Sequence, residues 1–361
     1  MYKNPDLVLA EPGLIEAGNI VWRSPSNIAI IKYWGKHGRQ LPRNPSISFT
    51  LNGCFSETML EYFPKTGAGE GIDLEFFFDG QPNDAFGSKI LRFLDSLNDI
   101  FPFLRQFHLA IHSTNSFPHS AGIASSASAM SALALALCTL EDRLFGTLQD
   151  DAAFEQKASY IARLGSGSAA RSVFGTMALW GKTDLVAGSS DEFAIGYGDK
   201  INAVFSNYND TILIASSGEK SVSSRAGHAL MEGNIYADSR YREANQRLAN
   251  VLDALQKGDT EQFGILAEAE ALTLHALMMA SQPPYILLKT NTLAMIERIQ
   301  AYRRVQKEPL YFTLDAGPNV HLLYPDSIKT NVENFIAHEL QPLCEDGTII
   351  SDWVGDGPME L

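Results

Sequence analysis

Cysteine is scarce in this chain of 361 residues, which contains only three. Cys54, Cys138 and Cys344 lie far apart and are odd in number, so no disulfide framework is indicated. The chain also has no C-x-x-C pair and no H-E-x-x-H motif, and neither a structural zinc site nor a zinc protease is predicted. This cysteine usage is typical of a reduced, cytoplasmic enzyme.

Positive charge is in short supply as well. Lys and Arg number 28 against 42 Asp and Glu, which gives a formal net charge of −14. A general nucleic-acid binder normally presents a basic face, so this charge argues against that class. A phosphorylated substrate remains compatible, because a few lysines and arginines can reverse the field inside a cleft.

Long hydrophobic runs are missing. No stretch reaches the roughly 18 apolar residues that could span a membrane, and the first residues, M-Y-K-N-P-D, lack the apolar core of a signal peptide. The hydrophobic content of 45% and charged content of 19% are ordinary for a globular protein. We therefore expect a cytoplasmic protein with two domains, or one large domain with an elaboration.

The sequence matches familiar nucleotide-binding motifs only in part. G-S-G-S-A-A at 165–170 resembles the dinucleotide motif G-x-G-x-x-A, but it follows a predicted helix where that motif must follow a strand. G-K-T at 181–183 resembles the end of a Walker A loop, but Thr176 stands where its first glycine should be. No G-x-S-x-G nucleophile elbow is present either.

The stretch 115–145 is the most informative one that the chain does contain. Its first half is a small-residue loop rich in hydroxyls, and from Ser128 to Phe145 it becomes an Ala- and Leu-rich helix. Free N–H groups and the positive dipole end of a helix N-terminus form an anion site. The stretch predicts that residues 118–128 wrap a nucleotide phosphate. A serine-capped helix packed closely on a sheet is the alternative that this stretch leaves open.

A second possible anion cradle lies at 165–168. Ser166 and Ser168 supply hydroxyls between flexible glycine amides, and Arg171 follows one turn after Ser168. An arginine there can reach the same ligand with a bidentate fork.

Lys32 and Lys36 flank Tyr33 and Trp34 at the end of a predicted buried strand. A lysine beside a buried strand end is costly unless it is paired or used. The alternative is that both are surface lysines, with aliphatic chains along the protein surface and ammonium groups in solvent.

Two further clusters mix hydroxyls, cations and an acid. Residues 220–228, K-S-V-S-S-R-A-G-H, precede a helix and are equally consistent with a solvated helix cap. Asp315 ends an apolar strand before Gly317-Pro318, which suits either a turn-initiating aspartate or a catalytic carboxylate.

Most predicted strands lie early in the chain and most predicted helices lie late. This order favours an α+β fold in two parts. The polar, aperiodic segment 183–200 is the candidate boundary. Strands are predicted at 28–33, 46–51, 58–63, 72–78, 107–112, 203–205, 211–216, 310–314, 320–324 and 348–354. Helices are predicted at 84–104, 128–145, 151–164, 226–256, 260–279, 285–305 and 328–340.

Five motifs occur in the order found in diphosphomevalonate decarboxylases of the GHMP kinase superfamily, and the chain resembles that family over essentially its whole length. The motifs are I-K-Y-W-G-K at 31–36, L-P-R-N-P-S-I-S-F-T-L at 41–51, S-A-G-I-A-S-S-A-S at 120–128, G-S-G-S-A-A-R-S at 165–172 and D-A-G-P-N at 315–319. The resemblance implies a GHMP-kinase-like fold. Residues 1–190 would form a ribosomal-protein-S5-like α/β domain that binds ATP, and residues 191–361 a ferredoxin-like α+β domain that completes the substrate site.

The resemblance implies an activity that uses ATP and Mg²⁺. The family phosphorylates the tertiary hydroxyl of (R)-5-diphosphomevalonate and then releases phosphate and CO2, which yields isopentenyl diphosphate. Phosphate is a far better leaving group than hydroxide, so no electron-sink cofactor is required. A homodimer is also implied, with neither nucleic acid nor membrane as a partner.

The resemblance assigns site residues in three groups. Catalytic roles fall to Asp315 as base or orienting group, Arg171 as holder of the substrate carboxylate, and Lys32 near the reacting phosphoryl. The substrate-binding group is Tyr33, Lys36, Ser166, Ser168, Ser224 and Arg225. The ATP-binding group is Ser120, Ala121, Gly122, Ala124, Ser125, Ser126 and Ser128, of which Ser126 would also help to place Mg²⁺.

Departures from the family pattern affect the edges of this site. His228 follows Gly227 where a Met is usual, Leu164 and Ala170 replace a polar residue and a Cys, and Pro45 interrupts an Asn-Ser-Ser run. Two rival functions stay open. One is a sibling that acts on mevalonate or 5-phosphomevalonate, as decarboxylase or 3-kinase, and the other is a silent family member that senses a small metabolite.

Overall fold

The computed structural model describes residues 1–65, 71–118, 123–218 and 224–361. Two sheets, of eight and four strands, organise these residues, together with a separate pair of short strands. The strands are β1 (Gly18–Ile31), β2 (Lys36–His37), β3 (Leu41–Pro42), β4 (Ser46–Pro64), β5 (Asp73–Phe78), β6 (Gln81–Pro82), β7 (Phe107–Asn115), β8 (Met177–Trp180), β9 (Ala194–Gly196), β10 (Asn209–Leu213), β11 (Tyr311–Thr313), β12 (Val320–Tyr324), β13 (Ile349–Trp353) and β14 (Met359–Glu360). The α-helices are α1 (Asp84–Asp95), α2 (Ser125–Phe145), α3 (Asp151–Gly165), α4 (Ser224–Ala229), α5 (Ala237–Lys257), α6 (Thr260–Met279), α7 (Thr290–Gln306) and α8 (Lys329–Phe335).

The larger sheet has the order β14-β1-β4-β7-β5-β6, and β8 and β9 continue from the other end of β4. Its pairs are antiparallel except for β5 with β7. The register of β1 on β4 shifts between Pro25 and Asn27 and again between Ala29 and Ile31. Proline cannot donate to a ladder, so such an irregularity is expected beside it. The strand ends at Ile31, and Lys32 and Tyr33 follow it outside the ladder.

Helix α2 packs on this sheet and on α3. Ala132, Ala134 and Ala136 are all fully buried, and side chains of this size let the helix backbone approach its neighbours closely. Because nearly every side of α2 is covered, its apolar residues do not form a single stripe.

The smaller sheet, with the order β11-β12-β10-β13, is antiparallel throughout. Helix α6 contacts both β11 of this sheet and β1 of the larger one. One hydrophobic cluster contains Ile28 and Phe49 from the larger sheet together with Leu248 and Phe263 from α5 and α6. The two parts of the chain therefore share a core.

The predicted α+β class in two parts is confirmed, as are the antiparallel pair around Asp315 and helices 151–164 and 260–279. Strands 46–51 and 58–63 are one continuous strand, β4. The division at 190/191 stays a prediction; β9 and β14, which lie beyond it in sequence, pair with strands of the larger sheet.

Several predicted boundaries are wrong, and each has a local cause. The helix predicted at 84–104 ends at Asp95, where the Ser96 hydroxyl donates to the carbonyl of Phe93. The strand predicted at 203–205 is a 3₁₀ turn in which the Asn202 side chain accepts from the Val204 amide.

Three more predicted helices differ from the structure. Helix 226–256 is interrupted between α4 and α5, where Gly233 has a positive φ of 77°. Helix 285–305 begins only at Thr290, and helix 328–340 divides into a 3₁₀ turn, α8 and a π-helical segment. Periodicity is continuous across these breaks, so the sequence pattern did not reveal them.

Candidate active site

Lys32 and Asp315 form the centre of the candidate site. The Lys32 ammonium lies 3.0 Å from Asp315 Oδ1, and the two side chains are 2% and 27% exposed. Lys32 leaves the end of β1, whereas Asp315 lies in the turn between β11 and β12, so the two sheets meet at this ion pair. The buried lysine is thus paired, and the alternative of a surface lysine is wrong for this residue.

Arg171 is buried a short distance away in the 3₁₀ segment that follows α3. Its guanidinium donates to Asn27 Oδ1 (3.1 Å from Nη2), Ser46 Oγ (2.6 Å) and Ser48 Oγ (3.0 Å). Among the described residues no carboxylate forms an ion pair with it. Burial lowers the pKa of Arg171 to about 10, partly offset by the nearby Asp315 carboxylate. Arg171 is therefore a protonated cation at neutral pH, held by neutral acceptors.

Sequence reasoning missed Asn27 as part of this pocket. Its amide donates to Ser172 Oγ and to the Ser168 carbonyl while its oxygen accepts from Arg171, which fixes the amide orientation. The signal was present, because Asn27 is a polar residue directly before the apolar run 28–31 of a buried strand.

Tyr33 and His228 line the adjoining wall. Their rings are 4.3 Å apart, and the Tyr33 ring lies 4.7 Å from that of Trp180. The Tyr33 hydroxyl is buried and has no hydrogen-bond partner among the described residues, and burial raises its pKa. A Cβ at Gly167 would come within 2.8 Å of that hydroxyl, so only glycine fits there.

His228, the departure from the family pattern, is buried between Tyr33 and Trp34. Its Nδ1 accepts a hydrogen bond from the Gly35 amide at 3.0 Å, which places the proton of the neutral ring on Nε2. Burial, and next the charge of Lys36, lower the pKa of His228 to about 3. The histidine is neutral at physiological pH and supports the segment after Lys32.

The N-terminus of α2 lies beside the second serine loop. Ser126 Oγ is 3.3 Å from Ser166 Oγ, so the two stretches predicted as anion cradles adjoin. The helix begins at Ser125, three residues before the predicted start, after Ala124 in the left-handed conformation (φ 48°). No described side chain caps the first turn, and Ser126 is exposed. These amides and hydroxyls suit a phosphate chain.

The other predicted site residues fall into different environments. Ser128 is fully buried, and its hydroxyl bonds to that of Ser56 at 2.7 Å, so its packing makes it a support of the helix. Lys36 donates to Gln40, and Ser168 lies in the 3₁₀ segment beside Asn27. Ser120, Ala121 and Gly122 lie outside the described residues. Ser224 and Arg225 are the first residues of α4, and Ser125 is the first of α2.

Three buried residues that the sequence did not single out surround Lys32 and Asp315. Glu270 accepts a hydrogen bond from the Lys32 amide at 2.9 Å, and Arg240 donates to the Lys32 carbonyl at 3.1 Å. The ring Nε2 of His275 lies 3.0 Å from the Asp315 carbonyl oxygen. Arg240 lies in the first turn of α5, and Glu270 and His275 lie within α6. Nothing in the residue pattern shows which buried group each of them contacts.

Within the described ranges, no group of three or more His, Cys, Asp or Glu side chains could hold a metal ion. The same residues include no helix with the length and apolarity that a membrane crossing requires.

Comparison with known families gives matches to both parts of the chain. Residues 24–193 match the diphosphomevalonate decarboxylase-like N-terminal domain, and residues 211–354 match the mevalonate 5-diphosphate decarboxylase C-terminal domain. The diphosphomevalonate decarboxylase of Ganoderma lucidum is 30% identical over 333 residues, which cover 87% of this chain and 80% of that protein.

Two solved structures are similar over nearly the full length. The mevalonate diphosphate decarboxylase of Staphylococcus aureus superposes with a TM-score of 0.81 and 28% identity, and covers 96% of this chain and 98% of its own. A structure described as MDDEF in complex with MVAPP, AMPPCP and magnesium has a TM-score of 0.80 and 28% identity, with 96% and 99% covered.

Proposed function

The chain belongs to the diphosphomevalonate decarboxylase family, and from that membership we propose how its cleft performs the family's reaction. Its function is the ATP-dependent decarboxylation of diphosphomevalonate. The observation that carries the mechanism is the Lys32–Asp315 ion pair beside a buried Arg171 that has only neutral hydrogen-bond acceptors among the described residues.

Asp315 acts on the tertiary hydroxyl of the substrate. Its carboxylate is partly exposed, so a hydroxyl can reach it. It accepts the proton as the oxygen attacks the γ-phosphoryl group of ATP, whose bond to the β-phosphate oxygen breaks and releases ADP. The Lys32 ammonium lies 3.0 Å from this carboxylate and holds it in place. The same ammonium stabilises negative charge on the phosphoryl oxygens during transfer.

Arg171 holds the substrate carboxylate. Asn27, Ser46 and Ser48 fix its guanidinium plane, so the fork is oriented before the ligand arrives. Once the tertiary oxygen carries the phosphoryl group, the C–O bond breaks and phosphate leaves. The C–C bond to the carboxylate then breaks, CO2 departs, and its electron pair forms the double bond of the product.

The α2 N-terminus binds the nucleotide phosphates. Ser126 and Ser125 present hydroxyls at the first turn, and the uncapped amides there suit the nucleotide's charge. Ser126 would contribute one hydroxyl to Mg²⁺, a cation that proteins usually bind through few side chains together with substrate phosphates and waters. Ser120, Ala121, Gly122 and Ala124 complete the predicted phosphate loop, and the buried Ser128 supports the helix behind it.

The diphosphate end of the substrate meets a different set of donors. Tyr33 carries a buried hydroxyl without a partner among the described residues, which is the condition that a ligand oxygen relieves. Lys36 and Arg225 supply positive charge, and hydroxyls come from Ser166, Ser168 and Ser224.

The direct test is to incubate the purified protein with ATP and Mg²⁺ and with each of mevalonate, its 5-phosphate and its 5-diphosphate. ADP and CO2 are followed separately. We expect equimolar ADP and CO2 from the 5-diphosphate alone. ADP without CO2 makes the protein a kinase, and turnover of the 5-phosphate alone assigns it to the sibling class.

A homodimer in the cytoplasm completes the proposal. Ile265, Leu272 and Met279 are exposed at seven-residue spacing on α6, an apolar row that a second subunit would cover. Sedimentation velocity at micromolar concentration should give twice the chain mass of 39.6 kDa. A monomer at every concentration excludes the dimer.

A further inference from the structure

We propose that helix α6 is the template that positions the Lys32–Asp315 pair, with Glu270 and His275 as positioning residues. Glu270 fixes the backbone of Lys32, and His275 fixes the backbone of Asp315. The inference rests on the roles proposed for Lys32 and Asp315, and it assigns to one helix the geometry on which both depend.

The peptide groups of Lys32 require partners because the strand has ended. Ile31 is the last residue of β1 that pairs with β4, and Lys32 is 2% exposed. A buried peptide outside a ladder must be satisfied by side chains or water. Glu270 Oε2 accepts from its N–H at 2.9 Å, while Asn44 and Arg240 donate to its carbonyl, each at 3.1 Å. Both backbone polar groups of Lys32, its N–H and its carbonyl, are thereby held in place by three side chains.

Glu270 is itself rigidly held. Its carboxylate accepts from Arg240 Nη1 and Nη2 at 2.7 and 2.6 Å and from Arg247 Nη1 at 2.9 Å. Burial alone would raise the pKa of Glu270, but the arginines and the Lys32 amide together lower it. A bidentate arginine leaves the carboxylate no freedom to rotate, so the Lys32 amide is fixed in direction as well as distance.

His275 holds the other partner. A carbonyl oxygen can only accept, so the 3.0 Å contact from Nε2 to the Asp315 carbonyl defines a proton on Nε2. His275 is 2% exposed, and the turn it contacts is closed by a hydrogen bond from the Gly317 amide to the same carbonyl at 2.7 Å. The backbone that carries the Asp315 carboxylate is therefore tied to α6.

The spacing of Glu270 and His275 along α6 sets the separation between the backbones of Lys32 and Asp315. Residues 270 and 275 are five positions apart, which is about 7.5 Å along a helix axis. Lys32 directly follows a strand of the larger sheet and Asp315 lies in a turn of the smaller one, and α6 contacts a strand of each. A rigid helix between the sheets fixes the separation of two side chains that the chain sequence places far apart.

The test compares Glu270→Gln with Glu268→Gln. Glu268 lies two positions away on α6, is also buried, and has a bidentate arginine, with Arg303 Nη1 and Nη2 at 2.6 and 2.9 Å. Both changes disturb a buried ion pair on the same helix, but only the first touches Lys32. In Glu270→Gln we expect single-turnover phosphoryl transfer to slow on the order of 100-fold, as misplacement of a reacting group does. The dissociation constant of ATP should stay unchanged, and Glu268→Gln should keep the parent rate.

A second pair of variants covers the case in which Glu270→Gln does not fold. His275→Leu fills a similar volume with an apolar side chain and removes the hydrogen-bond donor. His275→Gln keeps a donor. We expect transfer to slow in the leucine variant and to recover partly in the glutamine variant. Equal rates in these two variants, or a Glu270→Gln rate equal to that of Glu268→Gln, overturn the proposal.

The variant Lys32→Met distinguishes a failure of this inference from a failure of the mechanism on which the inference rests. An inactive Lys32→Met with a normal Glu270→Gln overturns the positioning role alone. A fully active Lys32→Met removes the catalytic role of Lys32 and the present proposal with it, while the overall reaction is tested independently by CO2 release.

Discussion

Replacing Arg171 with glutamine should separate catalysis from stability. The folded state holds this guanidinium fully buried, and its pKa falls from 12.5 to about 10. A base with a depressed folded pKa destabilises the folded state at every pH below that value, and the cost disappears as the pH rises past 12.5. At neutral pH the cost is about 3 kcal/mol, from roughly 1.4 kcal/mol per unit of pKa.

Arg171→Gln relieves that cost but loses hydrogen bonds. Arginine reaches Asn27, Ser46 and Ser48, and a glutamine amide has two donors on a shorter stem. The loss of about two charge-assisted bonds at about 1.5 kcal/mol each nearly cancels the gain. We therefore expect the free energy of unfolding to change by less than about 2 kcal/mol.

Activity should respond far more strongly. The variant loses the charged fork that holds the substrate carboxylate, an interaction of about 4 kcal/mol within the range for buried charge pairs. At 1.36 kcal/mol per tenfold this slows CO2 release about 1,000-fold. The assay follows ADP and CO2 separately at saturating substrate, and urea unfolding measures stability in the same samples.

Arg163→Gln is the matched control. Arg163 is also buried, but it is paired with Glu192 at 2.6 Å and belongs to no part of the proposed site. Its loss should lower stability more than that of Arg171 and leave the rate near that of the parent. A CO2 rate of Arg171→Gln within tenfold of the parent would falsify the carboxylate-holding role.

Three further predictions concern single residues. Asp315→Asn should abolish turnover while ATP still binds, as calorimetry can measure; near-normal turnover removes Asp315 from the mechanism. Ser126→Ala should weaken binding of Mg²⁺-ATP about tenfold, the effect of one charge-assisted hydrogen bond, and unaltered affinity contradicts its phosphate contact. His228 has a folded pKa of about 3 against 6.5 unfolded, so its contribution is complete above pH 6.5 and falls by up to about 5 kcal/mol towards pH 3. His228→Met should flatten the acid limb of the stability–pH curve, and an unchanged limb refutes the buried neutral ring.

Most strands and long helices followed from periodicity, because side-chain burial on one face is a local property. Helix ends did not. The predicted helix 84–104 ends at Asp95, and the predicted helix 226–256 breaks around Gly233; apolar spacing continues through both points. Where a helix ends depends on which backbone groups find other partners, and that is settled by neighbouring segments.

The residues of the candidate site also fall into those that the sequence indicated and those that it did not. The serine loops, Arg171 and Asp315 were singled out by residue type and spacing, and the ordered motifs identified the family. Asn27, Glu270 and His275 were not, since the order of residue types along a strand or helix does not show which group a polar side chain meets.

The sequence by itself determined the residue types available for chemistry, their order along the chain and the fold class, because these depend on composition, local periodicity and motif order. Only the tertiary structure decided which groups meet. Lys32 and Asp315 are 283 positions apart, and the contact exists because two sheets pack on one helix. Burial then lowered the pKa values of Arg171 and His228, since desolvation depends on every segment that surrounds a group and on no single one of them.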